Sequence, residues 1–305
     1  MVNRLIHSMR ANNKFSRNLQ FELFLVPVLL FYSSFVLIPM ILSFIYSFTE
    51  ISFQNVSYSF LGFENYKALM EDELVKASMG YTAIYTIGTT VLVTLAAIPL
   101  ALVLDSKFPG RNTYRATFYF PSCVSAFVLG FVFQYLLSSD DNGFLNSILI
   151  NVFHLEGIPF LGDIFWARLC SILVCVWFAT GWNATIYLAY LQSIPEEYYE
   201  AAQIDGASML QRIKYITLPM LTPAAKISIM TLLTGGLRVF DLPFALTRGG
   251  PANSMSSITQ VLIVRGITEG KIGYACSLGI VFLLLILVIT LIQTSAMSKL
   301  EEKVN

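Results

Sequence analysis

The residues with the most chemical character stand in one stretch, Ser193 to Pro219, which reads SIPEEYYEAAQIDGASMLQRIKYITLP. Glu196, Glu197, Glu200 and Asp205 place four carboxylates within ten residues. Carboxylates at that density suit charge-assisted hydrogen bonds to basic side chains of another surface. Ser193 followed by Glu196 has the S-x-x-E spacing of a capping box, which satisfies free N–H groups at a helix start. Pro195 suits the first turn because the N–H it lacks has no helical partner there, and Glu196 and Glu197 then meet the positive end of the helix dipole. The helix runs through Glu200, Ala201, Ala202 and Gln203, and Asp205-Gly206 breaks it, since glycine accepts positive φ. A second helix from Ala207 to about Tyr215 leads back to Leu218 and Pro219. The expectation is a helix–turn–helix hairpin whose small alanines admit a close neighbour. An amphipathic helix lying on the membrane surface would use a similar pattern, but anionic headgroups would repel its four acids, which favours protein docking.

Elsewhere such residues are sparse. Cys123, Cys170, Cys175 and Cys276 lie in or beside apolar stretches without C-x-x-C spacing, so neither a metal site nor a disulfide framework is indicated. His7 and His154 are far apart and receive no role. The nearest approach to a phosphate-binding loop, Gly266 to Ile272, lacks one spacer and the Ser/Thr needed for Mg²⁺. No catalytic residue is assigned.

The elements that must hold the hairpin are set by apolar length. Of 305 residues, 56% are hydrophobic and only 12% charged, against roughly 25% charged in a soluble domain. The mean hydropathy of +0.67 likewise weighs against a soluble α/β protein. Charge-free windows long enough to cross a bilayer occur at Leu23–Thr49, Ala77–Leu104, Ala116–Ser139, Leu169–Pro195 and Ile272–Ser298, and Tyr215–Leu237 is interrupted only by Lys226. The fold class expected is all-α integral membrane with six spans. The first window is too long for a signal-peptide core and no A-x-A site follows it. With the N-terminus inside, eleven Lys and Arg fall on the cytoplasmic side: Arg4, Arg10, Lys14, Arg17, Lys107, Arg111, Arg115, Arg212, Lys214, Lys299 and Lys303. Seven fall outside: Lys67, Lys76, Arg168, Arg238, Arg248, Arg265 and Lys271. Both termini are therefore expected in the cytoplasm of a multi-pass cell-membrane protein. Zero net charge gives no field that would attract nucleic acid.

Lys226 lies two turns past Pro219, and its stem can either snorkel to the headgroups or face protein; snorkelling is the expectation. Arg238 and Asp241, three apart, fit an ion pair on one helix. Gly249 and Gly250 allow a tight turn at Arg248–Pro251.

Glu200-Ala201-Ala202, then Gly206, then Ile216, Leu218 and Pro219 resembles the EAA---G---------I-LP signature of membrane subunits of binding-protein-dependent ABC importers. FLGFENY at Phe60–Tyr66, RATFYFP at Arg115–Pro121, NGFLN at Asn142–Asn146, LQSIP at Leu191–Pro195, VFD at Val239–Asp241 and TRGGPA at Thr247–Ala252 resemble the carbohydrate-type permeases of the maltose and glycerol-phosphate transporters. The similarity runs from about Phe21 to Met297. It implies a type I importer fold in three parts. Residues 1–76 form the tail, first span and external segment; 77–297 form the transmembrane core with the coupling hairpin 193–219; and 298–305 form a cytoplasmic tail. It implies a second, similar permease, two ATPase subunits that hold ATP and Mg²⁺, and an extracellular solute-binding protein. In such a complex the hairpin couples to the ATPase through Glu196, Glu197, Glu200, Ala201, Ala202, Asp205, Gly206, Leu218 and Pro219. The TRGGPA loop and the Arg238–Asp241 region are candidate edges for the binding protein.

The resemblance also implies a solute path near Ser122, Ser125, Trp177, Phe178, Leu232, Gly236 and Val239. There the aromatic rings would stack on sugar faces and the serines would offer hydroxyls. No cation is placed in that path by the sequence, which favours a neutral oligosaccharide over a glycerol-phosphate-type solute. A secondary transporter working without an ATPase is the rival. It would need ionisable groups at membrane depth, where only Lys226 qualifies. A membrane scaffold is a further rival, and it leaves the hairpin signature without a use.

Overall fold

The computed structural model describes residues 25–54, 59–140 and 143–302. The basic tail residues Arg4, Arg10, Lys14 and Arg17, together with His7, Leu23, Asp141, Asn142 and Lys303, lie outside the described residues. The described residues are helical apart from their loops and one isolated bridge, Thr49 to Phe60.

Four helices are long and apolar enough to cross a membrane: α1 (Leu25–Tyr46), α3 (Glu73–Asp105), α7 (Ile164–Leu191) and α13 (Ile272–Glu302). Two further candidate spans are bent. The first joins α4 (Arg111–Cys123) to α5 (Ala126–Leu136) through a 92° bend. The second joins α9 (Met209–Met220) to α10 (Thr222–Leu237) through 64°. The six spans expected correspond, among the described residues, to four long helices and two bent helix pairs. At the first break Val124 and Ser125 are extended after Pro121. At the second, Pro223 has no N–H to give to the Pro219 carbonyl; the Thr222 hydroxyl donates to that oxygen instead, at 2.6 Å.

Short helices join these spans. α2 (Glu64–Glu71) precedes α3, and α6 (Phe144–Asn151) precedes α7. α8 (Glu196–Ile204) and α9 form the hairpin, while α11 (Asp241–Thr247) and α12 (Ile258–Thr268) lie between α10 and α13.

The scaffold is the long α3–α7 contact, with α10 laid against both. Ala97, Ala101 and Leu104 of α3 meet Ala184, Tyr187, Leu188 and Leu191 of α7, with Leu221 and Ala224 completing the cluster. Small residues one turn apart let backbones approach, which is how helices associate where lipid offers no hydrophobic contrast. Gly181 is the extreme case: a Cβ there would stand 1.9 Å from the Phe118 carbonyl oxygen. Several buried hydroxyls of α3 are satisfied within the helix, as in Thr86 to Thr82 O at 2.6 Å and Thr89 to Tyr85 O at 2.8 Å. α1 packs on α13 and buries none of its apolar window within this chain.

Candidate functional site

The hairpin is exposed and its turn is held by backbone hydrogen bonds. Gly206 has φ +76, and the Ala207 and Gly206 N–H groups donate to Ala202 O at 2.9 Å and Gln203 O at 3.1 Å. These two bonds close the helix end as a Schellman motif. A Cβ at Gly206 would meet nothing within 4 Å, so it is backbone conformation and not crowding that calls for glycine.

The capping box does not form where it was expected. Pro195, extended at ψ 134, is the N-cap of α8 without a side-chain bond, and the Ser193 hydroxyl turns back to Tyr190 O at 2.7 Å. With Pro195 at the cap position, the helix starts two residues later than a box at Ser193 requires. The box occurs instead at the second helix. There the Ser208 hydroxyl accepts from Gln211 N–H at 3.4 Å, and Gln211 Oε1 accepts from Ser208 N–H at 2.7 Å.

Glu196, Glu197, Glu200, Ala201 and Asp205 are exposed, and Ala202 is half-buried. Beside them Ile204, Met209 and Leu210 are 86%, 69% and 78% exposed. This apolar tip was missed from the sequence. Its signal was available: three large apolar residues flank a polar turn and lie off any apolar helical stripe. Behind the tip, the Tyr199 hydroxyl meets Thr217 Oγ1 at 3.1 Å, and Ile194 and Leu221 sit in the α3–α7 core. Leu218 is exposed and Pro219 half-buried at the root of the hairpin.

A cavity of about 430 Å³ opens between α3, α7, α10 and the first break. Five of the seven expected path residues line it: Ser122, Phe178, Leu232, Gly236 and Val239. Two do not. Trp177 packs edge-on against Phe133 at 5.5 Å, and Ser125 caps α5 with an exposed side chain and no side-chain cap bond. Ser122 is less available than expected, because its hydroxyl donates to Phe178 O at 2.6 Å. The aromatic wall comes from Trp182 and Phe240 with Phe178. Asn183 adds an amide whose oxygen accepts from Ser228 at 2.8 Å.

Arg238 and Asp241 also line this cavity. α10 ends at Leu237 and α11 begins at Asp241, so their spacing of three is not helical. No ion pair joins them among the described residues. The expectation of a cation-free path is thereby corrected, since the break in the helix turns Arg238 onto the cavity wall. Lys226 is a correction too: its Nζ meets Ser298 Oγ at 2.9 Å and Glu301 Oε2 at 3.1 Å, so protein and not headgroup takes the charge.

At the end of the bundle away from the hairpin, Arg265 Nη2 donates to Asp72 Oδ2 at 2.7 Å and Nη1 to both Glu269 oxygens at 2.9 Å. The Tyr274 hydroxyl donates to Asp72 at 2.7 Å, and Lys271 Nζ lies 2.9 Å from Glu269. Burial pushes the Asp72 carboxyl up, but Tyr274, the Leu74 N–H and Arg265 outweigh it and hold the group below its ordinary value. Lys271 first, with Arg265, lowers Glu269 despite burial. This network occupies the stretch with the partial phosphate-loop spacing, and Lys271 is spent on Glu269.

Residues 97–302 match the family described as the binding-protein-dependent transport system inner membrane component. The chain belongs to this family. The multiple sugar-binding transport system permease protein MsmF of Streptococcus mutans is 31% identical, over 91% of this chain and 95% of its own length. The arabinooligosaccharides transport system permease protein AraP of Bacillus subtilis is 32% identical, over 89% and 86%. Among solved structures, a bacterial ABC transporter involved in import of the acidic polysaccharide alginate shares the fold. It is 23% identical, covers 95% of this chain and 99% of that one, and has a TM-score of 0.84. The permease is therefore a multi-pass membrane subunit of a binding-protein-dependent ABC system. Its relatives named here are transport permeases.

Proposed function

We propose that this permease forms half of the translocation path of an ATP-driven importer for oligosaccharides and couples to ATPase subunits through the hairpin at 193–219. The observation that carries the reading is the exposed hairpin, in which Glu200, the Gly206 turn and the apolar tip Ile204, Met209 and Leu210 form one outward surface. Such a surface, apolar at its centre and acidic at its rim, is costly in water and suits a groove with basic edges on a partner. ATP and Mg²⁺ belong to that partner. The hairpin faces the cytoplasm, as the lysine and arginine bias supports. Lipid and a second, unlike permease cover α1 and the exposed apolar faces of α3, α7 and α13. A solute-binding protein delivers ligand at the opposite end. The boundaries 1–76, 77–297 and 298–305 describe the chain in these terms.

Oligosaccharide as solute is supported by the sugar-transport relatives and by the cavity's Trp182, Phe178 and Phe240, whose rings suit the apolar faces of sugars. A second reading, an anionic solute such as a glycerol-phosphate ester, draws on Arg238 at the cavity wall, with Asp241 opposing it. Binding-protein-dependent uptake by the reconstituted complex separates them. The first reading expects neutral oligosaccharide to be carried and to stimulate ATP hydrolysis. If only phosphorylated solutes are carried, and Arg238→Met abolishes their uptake, the second replaces it. Coupling is tested with Gly206→Val, which should leave membrane insertion intact while import falls; wild-type import by that variant would overturn the docking role.

A further inference from the structure

At the hairpin root three elements converge on a hinge. α9 and α10 meet at Leu221 at 64°, Pro219 and Pro223 flank the bend, and α7 ends beside it at Leu191, followed by Ile194. The last turn of α13 closes the site: Glu301 joins Tyr190, Tyr198, Tyr215 and Pro223 around a cavity of about 570 Å³. Five residues beyond Leu221, about 7.5 Å along α10, Lys226 reaches across to Glu301 and Ser298. Gln293 of α13 also donates to Lys226 O, at 3.5 Å. α13 is thus tied to α10 by side chain and by backbone just past the bend.

Glu301 lies near the end of the described part of α13, two residues beyond Lys299. Lys226 supplies a further cation from another helix. Its side chain and that of Glu301 are 29% and 31% exposed, too enclosed for a pair held only by solvent. A lysine inside an apolar span is costly unless it has such a partner. A charge inside a span that is satisfied only through tertiary contact ties two elements specifically to each other.

We propose that Lys226 and Glu301 are positioning residues that make α13 move with α10 when the hairpin is displaced, so that the bend at Leu221 transmits motion to the last span instead of absorbing it. This rests on the coupling role given above to the hairpin. Without the pair, α10 would pivot at Leu221 while α13 stayed behind, and ATP would be hydrolysed with less solute moved.

The test compares the full reconstituted complex carrying wild type, Lys226→Met, Glu301→Gln and the exchanged pair Lys226→Glu with Glu301→Lys. The readout is solute transported per ATP hydrolysed, alongside permease content of the membrane. Each single variant should keep its ATPase activity and lose roughly three- to ten-fold in transport per ATP, the scale on which side chains between two moving elements affect coupling. The exchanged pair should recover most of that loss, and Lys226→Arg should keep transport per ATP close to wild type. An unchanged ratio in Glu301→Gln, at wild-type permease content of the membrane, would overturn the proposal. So would an exchanged pair no better than the singles. If the wild-type complex couples normally and the variants match it, only this link fails; if wild type shows no ATP-driven uptake, the importer reading fails with it.

Discussion

The hairpin and the cavity are built in opposite ways. The hairpin's defining bonds span three to five residues: Ala207 to Ala202, Gly206 to Gln203, Ser208 with Gln211. The cavity assembles Tyr85 and Thr89 of α3, Ser122 from the first break, Trp182 of α7 and Arg238 beyond α10, residues up to about 150 positions apart. A site closed by local hydrogen bonds keeps its shape when its surroundings move, as the proposed coupling hairpin would have to. A site made of four separate segments changes shape whenever those segments slide, as the proposed translocation path would have to.

The largest expected effect breaks the hairpin side of this contrast. Gly206→Val forces a β-branched residue to φ +76, where strain costs on the order of 1–3 kcal/mol. Import should fall by more than about ten-fold with unchanged permease content on membrane immunoblots, and Gly206→Asn, which tolerates this region, should retain most transport. Because nothing crowds the site, an equal loss in Asn and Val variants would show that shape complementarity, not the turn, matters there.

A smaller effect comes from the network that fixes α2, α12 and α13 at the far end. Asp72→Asn removes the carboxylate shared by Arg265 and Tyr274, and should lower stability by about 1–3 kcal/mol in thermal unfolding of the detergent-solubilised protein. The Asp72 carboxyl is held below its ordinary value of 3.8. Its contribution is therefore complete above that value and is lost as pH falls through the lower, folded-state value. Wild type should lose stability in that acid window more steeply than Asp72→Asn.

On the cavity side, Trp182→Ala should raise the half-saturating concentration for uptake by roughly ten-fold, since loss of an aromatic platform costs about 1–2 kcal/mol. Trp177→Ala, off the cavity and packed on Phe133, should leave it unchanged. Equal effects would mean that the wall is merely structural. The smallest pair of effects compares caps. Ser208→Ala should cost about 1 kcal/mol of local helix stability, seen as faster amide exchange over residues 209–212, while Ser193→Ala should leave exchange over 196–204 unaltered.

Sequence legibility follows the same division. The hairpin, its Gly206 turn and the run back to Pro219 were readable because each depends on residues within one or two turns. The Ser193 box failed because Pro195 took the cap position, and the genuine box at Ser208 lay three residues from a glutamine that drew no attention beside the acids. In the cavity, five of seven residues were placed by resemblance. Trp182 and Phe240 escaped because no local pattern distinguishes an aromatic that faces a cavity from one that faces lipid. Lys226 was misread for the same reason: its partners stand 72 and 75 positions away.

By itself, then, the sequence determined that this chain lives in a membrane, which segments are long and apolar enough to cross it and where its exposed hairpin turns, because length, charge-free runs and i-to-i+4 spacing act locally. Only the tertiary structure decided that two of the candidate spans are bent, that Arg238 reaches the cavity and that Lys226 finds Glu301. Those outcomes depend on which helix lies beside which, and lipid-facing and protein-facing positions carry the same apolar residues.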